Sequence, residues 1–295
     1  MENNITNKEL QERLHWNLEQ KVDHSLYIIE NFLAQFPEAI VSFSGGLDST
    51  MLLYLTRIVD KDRKGCFVNT TNEHFEIIKF VRTVENINTI FPKINFTQVI
   101  EKYGFPLISK EVSECLWEIR YTKSEKLKNL RLHKLPNKYK YLLNTEFDVC
   151  HKCCYFLKKA PFKKINKNGS LVGTLASESY LRKSDYLRVG GCINEKKKQA
   201  NPLSIWTKKD IWKFVRKNNI PYCDVYDKGE QSTGCAYCGF GIQFDKQRFY
   251  RLKQREPKRY EIMMNLENNG VKYKDAIRMV QEGTCNLLPK IFENL

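Results

Sequence analysis

No apolar stretch in this 295-residue chain approaches the roughly 18 uninterrupted residues that a membrane helix needs. The start, Met1 to Leu10, is polar and lacks the hydrophobic segment of a secretion signal. Acidic residues are in deficit, 34 Asp plus Glu against 49 Lys plus Arg, for a formal charge of +15. There is no internal repeat, no low-complexity tract and no obvious linker. Neither a GxxxxGK(S/T) phosphate loop nor a GxGxxG dinucleotide turn occurs at the corner described below. These absences argue against a membrane span, a solenoid and the two commonest nucleotide-binding turns, and they lead us to expect a soluble, cytoplasmic protein. What is present, 42% hydrophobic and 12% aromatic residues, suffices for a sizeable core. In a reducing cytosol ten cysteines are poor candidates for structural disulfides, so clustered ones point to metal binding or catalysis. Isolated ones such as Cys66 and Cys115 read as small buried hydrophobes.

Apolar residues from Leu10 through Leu14, Leu18, Val22, Leu26 and Ile29 to Leu33 recur at helical spacing, so the first 36 residues read as a helical lead-in. After Pro37, the run Ala39 to Phe43 reads as a buried strand that stops at Gly45-Gly46, and Ser49 to Ile58 reads as a helix. Cys66 to Asn69 is expected as a strand, Phe75 to Ile87 as a helix and Phe96 to Ile100 as a strand. Lys110 to Lys140 is expected to be helical, Leu171 to Leu175 a strand and Lys208 to Asn218 a helix. From Lys246 onward the tail reads as mostly helical with a break at Gly270. Strands alternating with helices imply an α/β fold, a three-layer, doubly wound, mostly parallel sheet. The expected parts are an N-terminal helical segment (1–36), the α/β domain (37–245) and a basic helical tail (246–295).

The sharpest local signal is Ser44-Gly45-Gly46-Leu47-Asp48-Ser49, at the junction of the first strand and its helix. Two glycines let backbone approach an anion, and the amides opening the helix supply an anion site. Ser44 and Ser49 add hydroxyl donors, and Asp48 suits a magnesium ion or loop orientation. The hexapeptide resembles the SGGxDS signature of the PP-loop ATP pyrophosphatases, which bind ATP on this loop and cleave it between the α and β phosphates. In that family the second strand ends near the adenine, a place matched here by Val68, Asn69 and Thr70.

Six cysteines fall into three groups: Cys150 with Cys153 and Cys154, Cys192 alone, and Cys235 with Cys238. Paired CxxC turns offer four soft ligands, suited either to zinc or to a [4Fe-4S] cluster. The segment Cys153 to Lys159, then Pro161, and Gly234-Cys235-Ala236-Tyr237-Cys238 resemble the CC...CxxC arrangement of the adenylylsulfate reductase branch of the phosphoadenosine phosphosulfate (PAPS) reductase family. That resemblance implies an adenine nucleotide alpha hydrolase-like fold and a [4Fe-4S] cluster on Cys153, Cys154, Cys235 and Cys238. Cys150 is the alternative ligand and zinc the alternative metal. Gly173 to Ser179, with Glu178 and then Arg182, resembles the family's substrate-side ES..R segment. Pro202-Leu203, Trp206-Thr207 and Asp210-Ile211-Trp212 resemble its PL..W...D(V/I)W segment. Together these matches span roughly residues 39 to 245.

Two departures bear on activity. In the reductase branch the loop is usually degenerate, whereas Ser44 to Ser49 is complete, and the reductases' C-terminal ECGLH segment has no match around Cys285. Both favour relatives that pair an intact ATP loop with an iron-sulfur cluster, such as DNA phosphorothioation proteins and tRNA thiolation enzymes. The expectation is therefore an ATP-dependent sulfurtransferase that adenylates a nucleic acid, DNA or tRNA, releases pyrophosphate and inserts sulfur from a cysteine desulfurase or another sulfur donor. ATP and Mg2+ would sit on Ser44, Gly45, Gly46, Asp48, Ser49, Asn69, Thr70, Gly173 and Glu178, with Asp48, Lys158 and Arg182 as catalytic groups and the cluster near the same cleft. A sulfonucleotide reductase and a non-enzymatic nucleic-acid-binding module with a structural metal are the alternatives. The charge supports a polyanionic partner. Arg120 to Lys140 holds eight basic residues against Glu125, and Lys246 to Arg259 holds seven against Glu256, with Tyr121, Tyr139, Tyr141, Phe249, Tyr250 and Tyr260 nearby.

Overall fold

The computed structural model describes residues 5–283. In chain order, helices α1 (Asn7–Leu14) and α2 (Leu18–Gln35) precede strand β1 (Ile40–Ser42), helix α3 (Leu47–Val59), β2 (Gly65–Val68), α4 (Phe75–Thr83) and β3 (Ile87–Ile90). There follow α5 (Phe96–Tyr103), β4 (Leu107–Ile108), α6 (Lys110–Tyr121), α7 (Glu125–Lys134), a 3-10 segment at Asn137–Asn144 and a π-helical turn at Tyr155–Lys159. Next come α8 (Ala160–Ile165), β5 (Ser170–Val172), α9 (Tyr180–Val189), β6 (Ile193–Asn194), β7 (Gln199–Ala200) and α10 (Lys208–Lys217). The remainder comprises β8 (Gly239–Phe240), α11 (Arg248–Arg255), α12 (Pro257–Met264), β9 (Glu267–Asn268), β10 (Val271–Lys272) and α13 (Tyr273–Glu282).

The chain divides into two compact units. Unit 1 comprises Met1–Asn69, Glu73–Phe91 and Pro161–Thr233; unit 2 comprises Thr70–Asn72, Pro92–Ala160 and Gly234–Leu295. The 1–36 segment thus belongs to unit 1, and the described part of the tail belongs to unit 2.

Unit 1 is the expected α/β fold. Its sheet runs β3-β2-β1-β5-β7-β6, every pairing parallel except that of β6 with β7. Strand order reverses direction between β1 and β5, so the carboxyl end of β1 lies at the switch point where such sheets form crevices. β1 contributes the fully buried Val41, and α3 buries Leu47, Met51, Leu52 and Leu55 against the same core. Each such side chain contributes about 1.5–3 kcal/mol.

A buried polar network seats α2 in this core. Lys21, 1% exposed, donates to Leu14 O at 2.8 Å and to Asp210 at 2.6 Å. Ser25 donates to Pro202 O and accepts from the fully buried Trp206 indole, both at 2.9 Å. Thr207 and Asp210 form the capping box that opens α10. The Pro202 to Trp212 segment therefore has a structural task, joining α10 to the lead-in helix.

Unit 2 has its own core, centred on Phe105, Leu107, Phe147 and Tyr273. It holds a short parallel pair, β4 with β8, and an antiparallel hairpin, β9 with β10.

Two sequence expectations are corrected. Phe96 to Ile100 is not a strand but the start of α5, nucleated by the Asn95–Gln98 capping box with Phe96, Val99 and Ile100 on the buried face. Helix α4 ends at Thr83, and Ile87 begins β3, the real third strand. The described part of the tail is mostly helical with its break at Gly270, as expected, and the break is a hairpin. Asn269 (φ 48°) and Gly270 (φ 79°) form the two-residue turn of the β9–β10 hairpin, the conformation an Asn-Gly pair favours.

Lys21→Ala is expected to lower stability by about 3 kcal/mol, near the low end for a broken buried pair because Asp210 stays 23% exposed. Burial opposes ionisation of Asp210, but the bonds from Lys21 and Thr207 outweigh it and hold its carboxyl below the usual range. That contribution is complete above the unfolded carboxyl pKa of about 3.9 and is lost as pH falls through the lower folded value. Urea unfolding of both proteins at pH 7 and pH 3 checks this, since the gap between them should shrink in acid.

Candidate active site and thiol centre

The corner between β1 and α3 is held by its own hydroxyls. Ser49 Oγ donates to Gly46 O (2.8 Å), lies 3.0 Å from Ser44 Oγ and accepts from Ser44 N (3.1 Å), while Ser44 Oγ accepts from Gly46 N (3.3 Å). Gly45 has φ +71°, and a Cβ there would lie 3.0 Å from Val81, so both conformation and packing demand glycine. Gly173, beyond the end of β5, is constrained by packing alone: a Cβ would meet the Asp48 carbonyl at 3.1 Å and Ser49 N at 3.3 Å. It lets the end of β5 abut the first turn of α3.

Three participants at this corner were not apparent from the sequence. Lys208, in the first turn of α10, binds both Asp48 carboxylate oxygens at 2.7 and 2.8 Å. Tyr226 OH accepts the N–H of Leu47 at 2.8 Å, standing where an anion's oxygen would take a helix-opening amide, and lies 3.4 Å from Thr233 Oγ1. Burial pushes the Tyr226 phenol upward, so it remains neutral. Only long-range packing brings these residues here, and no local pattern announces it.

Other expected site residues are dispersed. Glu178 and Arg182 pair with each other across one helical turn, with Ser179 capping α9 between them. They adjoin a cavity of about 310 Å³ lined by Thr174, Arg182, Asp185, Tyr186, Asn201 and Ser204. The backbone N–H of Asn69 donates to Ile90 O at the sheet end. Thr70, fully buried in unit 2, has its Oγ1 3.7 Å from Cys235 Sγ. Lys158 follows Cys154 by one helical turn, and its charge acts on that thiol. Cys192 is buried in unit 1, 3.7 Å from His24 Nε2. Cys285 lies outside the described residues.

Five of the six described free thiols of unit 2 belong to the two cysteine segments, Cys115 being the sixth. Cys153 lies within sulfur hydrogen-bond reach of both Cys150 and Cys154 and acts as donor to each. The Cys153 bond, helped by Lys158, Lys110 and Lys159, lowers the Cys154 pKa against the opposing effect of burial. Burial pushes Cys238 up to about 12, and the charges of Cys235 and Cys154 reinforce it, which brings the two cysteine segments into one electrostatic neighbourhood. The later turn is clamped from several sides. Asn72 takes Ala236 N on its carbonyl (2.6 Å) and Tyr237 N on its side chain (3.0 Å), and Tyr273 OH donates to Tyr237 O (2.9 Å). Arg248 donates to Cys238 O (3.0 Å) and Phe240 O (2.8 Å). The donors are free and soft, as a thiolate-bound metal centre requires, but among the described residues no three of these sulfurs lie within 4.8 Å of one another.

A glycine turn at the switch point of a mostly parallel, doubly wound sheet defines the class of unit 1 as an α/β protein. The family model described as "Phosphoadenosine phosphosulfate reductase domain" matches residues 38–239, and the chain belongs to that family. The adenosine 5'-phosphosulfate reductase of Bacillus cytotoxicus is 28% identical over 224 residues, covering 72% of this chain and 79% of that protein. An uncharacterized protein of Methanocaldococcus jannaschii is 27% identical over 221 residues, 73% of this chain but only 44% of that protein. The phosphoadenylyl-sulfate (PAPS) reductase from Candida auris, solved as a phosphate complex, superposes with a TM-score of 0.45 at 15% identity, covering 80% of this chain and 98% of that one. That superposition is too loose to place individual residues.

Two outcomes follow from this geometry. Tyr226→Phe leaves the Leu47 amide without its acceptor, a cost of about 1 kcal/mol in the free protein that a bound phosphate oxygen recovers. AMP is therefore expected to bind about five-fold tighter to this variant by calorimetry; weaker binding would assign the hydroxyl to the ligand. In metal-free protein, iodoacetamide at pH 7 is expected to label Cys154 well ahead of Cys66, whose thiol burial pushes up to about 12. Peptide mass spectrometry reads the order.

Proposed function

We propose that the chain is a sulfonucleotide reductase, holding an adenylyl sulfate such as adenosine 5'-phosphosulfate at the Ser44 to Ser49 turn and converting it to AMP and sulfite. The observation that carries this reading is that one family match, residues 38–239, takes in both the glycine turn and all five clustered cysteines. The names of curated relatives from Bacillus cytotoxicus and Bacillus mycoides support it, and they favour it over ATP-dependent sulfur insertion into nucleic acid.

In the proposed reaction the bond between the sulfate sulfur and the bridging phosphate oxygen breaks, and AMP leaves with its electron pair. Two electrons from an external dithiol, which becomes a disulfide, reduce the sulfuryl group to sulfite. The amides and hydroxyls of Ser44, Gly45, Gly46 and Ser49 hold the phosphate, whose oxygen displaces the Tyr226 hydroxyl from the Leu47 amide. Lys208 orients Asp48 and offsets its charge beside the incoming anion. Arg182, shared with Glu178, offers a cation to the sulfate end. A [4Fe-4S] cluster would be held by Cys153, Cys154, Cys235 and Cys238, with Cys150 as alternative ligand and zinc as alternative metal, and, if iron, would supply redox capacity.

A second reading, ATP-dependent adenylation of a substrate with sulfur from an external donor, is favoured by one feature. The loop is complete, and its Asp48 is suited to hold Mg2+ once Lys208 releases it.

One experiment separates them. Anaerobically purified protein is given adenosine 5'-phosphosulfate with dithiothreitol, or ATP with Mg2+, and AMP, sulfite and pyrophosphate are measured. Equimolar AMP and sulfite is expected, with a loss of at least ten-fold in Gly45→Ala. Pyrophosphate from ATP without sulfite would establish the second reading, and neither product would overturn both.

A further inference from the structure

The two basic stretches read from the sequence are not alike in the structure. In the later one, the arginines largely serve the fold. Arg248 holds the Cys238 and Phe240 carbonyls, Arg251 pairs with Asp245 at 2.6 Å, and Arg259 pairs with Glu256 at 3.0 Å. The earlier stretch also spends its arginines internally. Arg120 donates to Phe147 O and Leu142 O at 2.6 Å and to Thr145 O at 2.8 Å, and Arg131 pairs with Glu118.

The lysines of that stretch are different. Lys123, Lys126, Lys134, Lys138 and Lys140 are all exposed, and the only acidic residue between Lys123 and Lys140 is Glu125. Helix α7 buries no residue. Its inner side, with Leu127, Arg131 and Leu132 half-buried, lies toward α6, while Lys126, Asn129, Leu130, His133 and Lys134 form the outer face. Lys126 and Lys134 are about 12 Å apart along the axis, too far to serve one phosphate but suited to a strand whose phosphates recur every few ångströms. Tyrosine rings flank the row: Tyr121 is 52% exposed, and Lys138 lies 5.0 Å from the Tyr139 ring centre. Leu130 is the one strongly exposed apolar side chain on the α7 face, which disfavours membrane insertion.

We propose that the outer surface of α7 with its flanking segments, from Lys123 to Lys140, binds single-stranded nucleic acid, with lysines on its phosphates and tyrosines against its bases. This surface lies in unit 2 and goes beyond the small-nucleotide reaction proposed above. Its test uses neither nucleotide nor reductant, so each proposal can fail alone.

The full chain is titrated with fluorescent 20-mer oligo-dT and oligo-rU by anisotropy at several salt concentrations. Five lysine contacts predict a slope of log K against log salt of about −3.5, at about 0.7 per contact. Replacing Lys123, Lys126, Lys134, Lys138 and Lys140 together by Gln should flatten that slope and weaken binding at least 100-fold at low salt, without changing the thermal melting curve. Lys253→Gln with Lys258→Gln, in the later stretch, should leave the slope nearly intact. An unaltered slope in the five-fold variant, absence of binding at low salt, or binding to phosphatidylserine vesicles but not to oligonucleotides would each overturn the proposal.

Discussion

The corner where β1 hands over to α3 constrains unit 1 more than any other feature. Its backbone must turn from the centre of a parallel sheet directly into a helix, and Gly45 achieves this with a positive φ while Val81 packs against it. Gly173 permits the neighbouring strand end to abut the same helical turn. Ser44 and Ser49 lock the corner internally, so their hydroxyls are structural before they are ligands. An anion entering there need only replace the Tyr226 oxygen at one amide, an exchange of one acceptor for another that requires little reorganisation.

A second constraint is the division of labour among cations. Arginine's planar fork satisfies several carbonyls at once, and buried loops present carbonyls that would otherwise go unpaired. Arg120 and Arg248 each gather such groups, at the turn before the first cysteine segment and at the second segment itself. Lysine, strongly hydrated and flexible, is the residue left facing water. The surplus charge of this chain is therefore mostly lysine charge on the outside, and net charge alone overstates how much of it a partner meets.

The alternation of strands and helices, the glycine turn and the two cysteine segments were legible because each is local: a period, a tight turn, a short spacing. A local pattern misleads where two structures share it. Phe-Thr-Gln-Val-Ile has the β-branched look of a strand, yet Asn95 and Gln98 cap it into α5. Asn269-Gly270 carried a hairpin signal within a tail dominated by helical spacing. Lys208, Asn72 and Tyr226 were illegible because their partners are 160 to 179 residues away, and Arg248 because its partners are backbone carbonyls, which leave no trace in side-chain pattern. The interleaving of the two units likewise follows from packing that no composition shift marks.

Consecutive residues can serve different cores. Asn69 closes the β2 end of the sheet through Ile90, whereas Thr70 sits beside the Cys235 thiol and Asn72 holds the amides that follow it. A three-residue excursion of the chain thus supplies the second cysteine turn with a hydroxyl, a carbonyl and a carboxamide. Such a turn has few alternatives. With Tyr273 and Arg248 holding carbonyls of the same turn, its backbone is braced by side chains far apart in sequence as well as by its own neighbours, so a change at Asn72 or Tyr273 is felt at the turn although neither residue belongs to it.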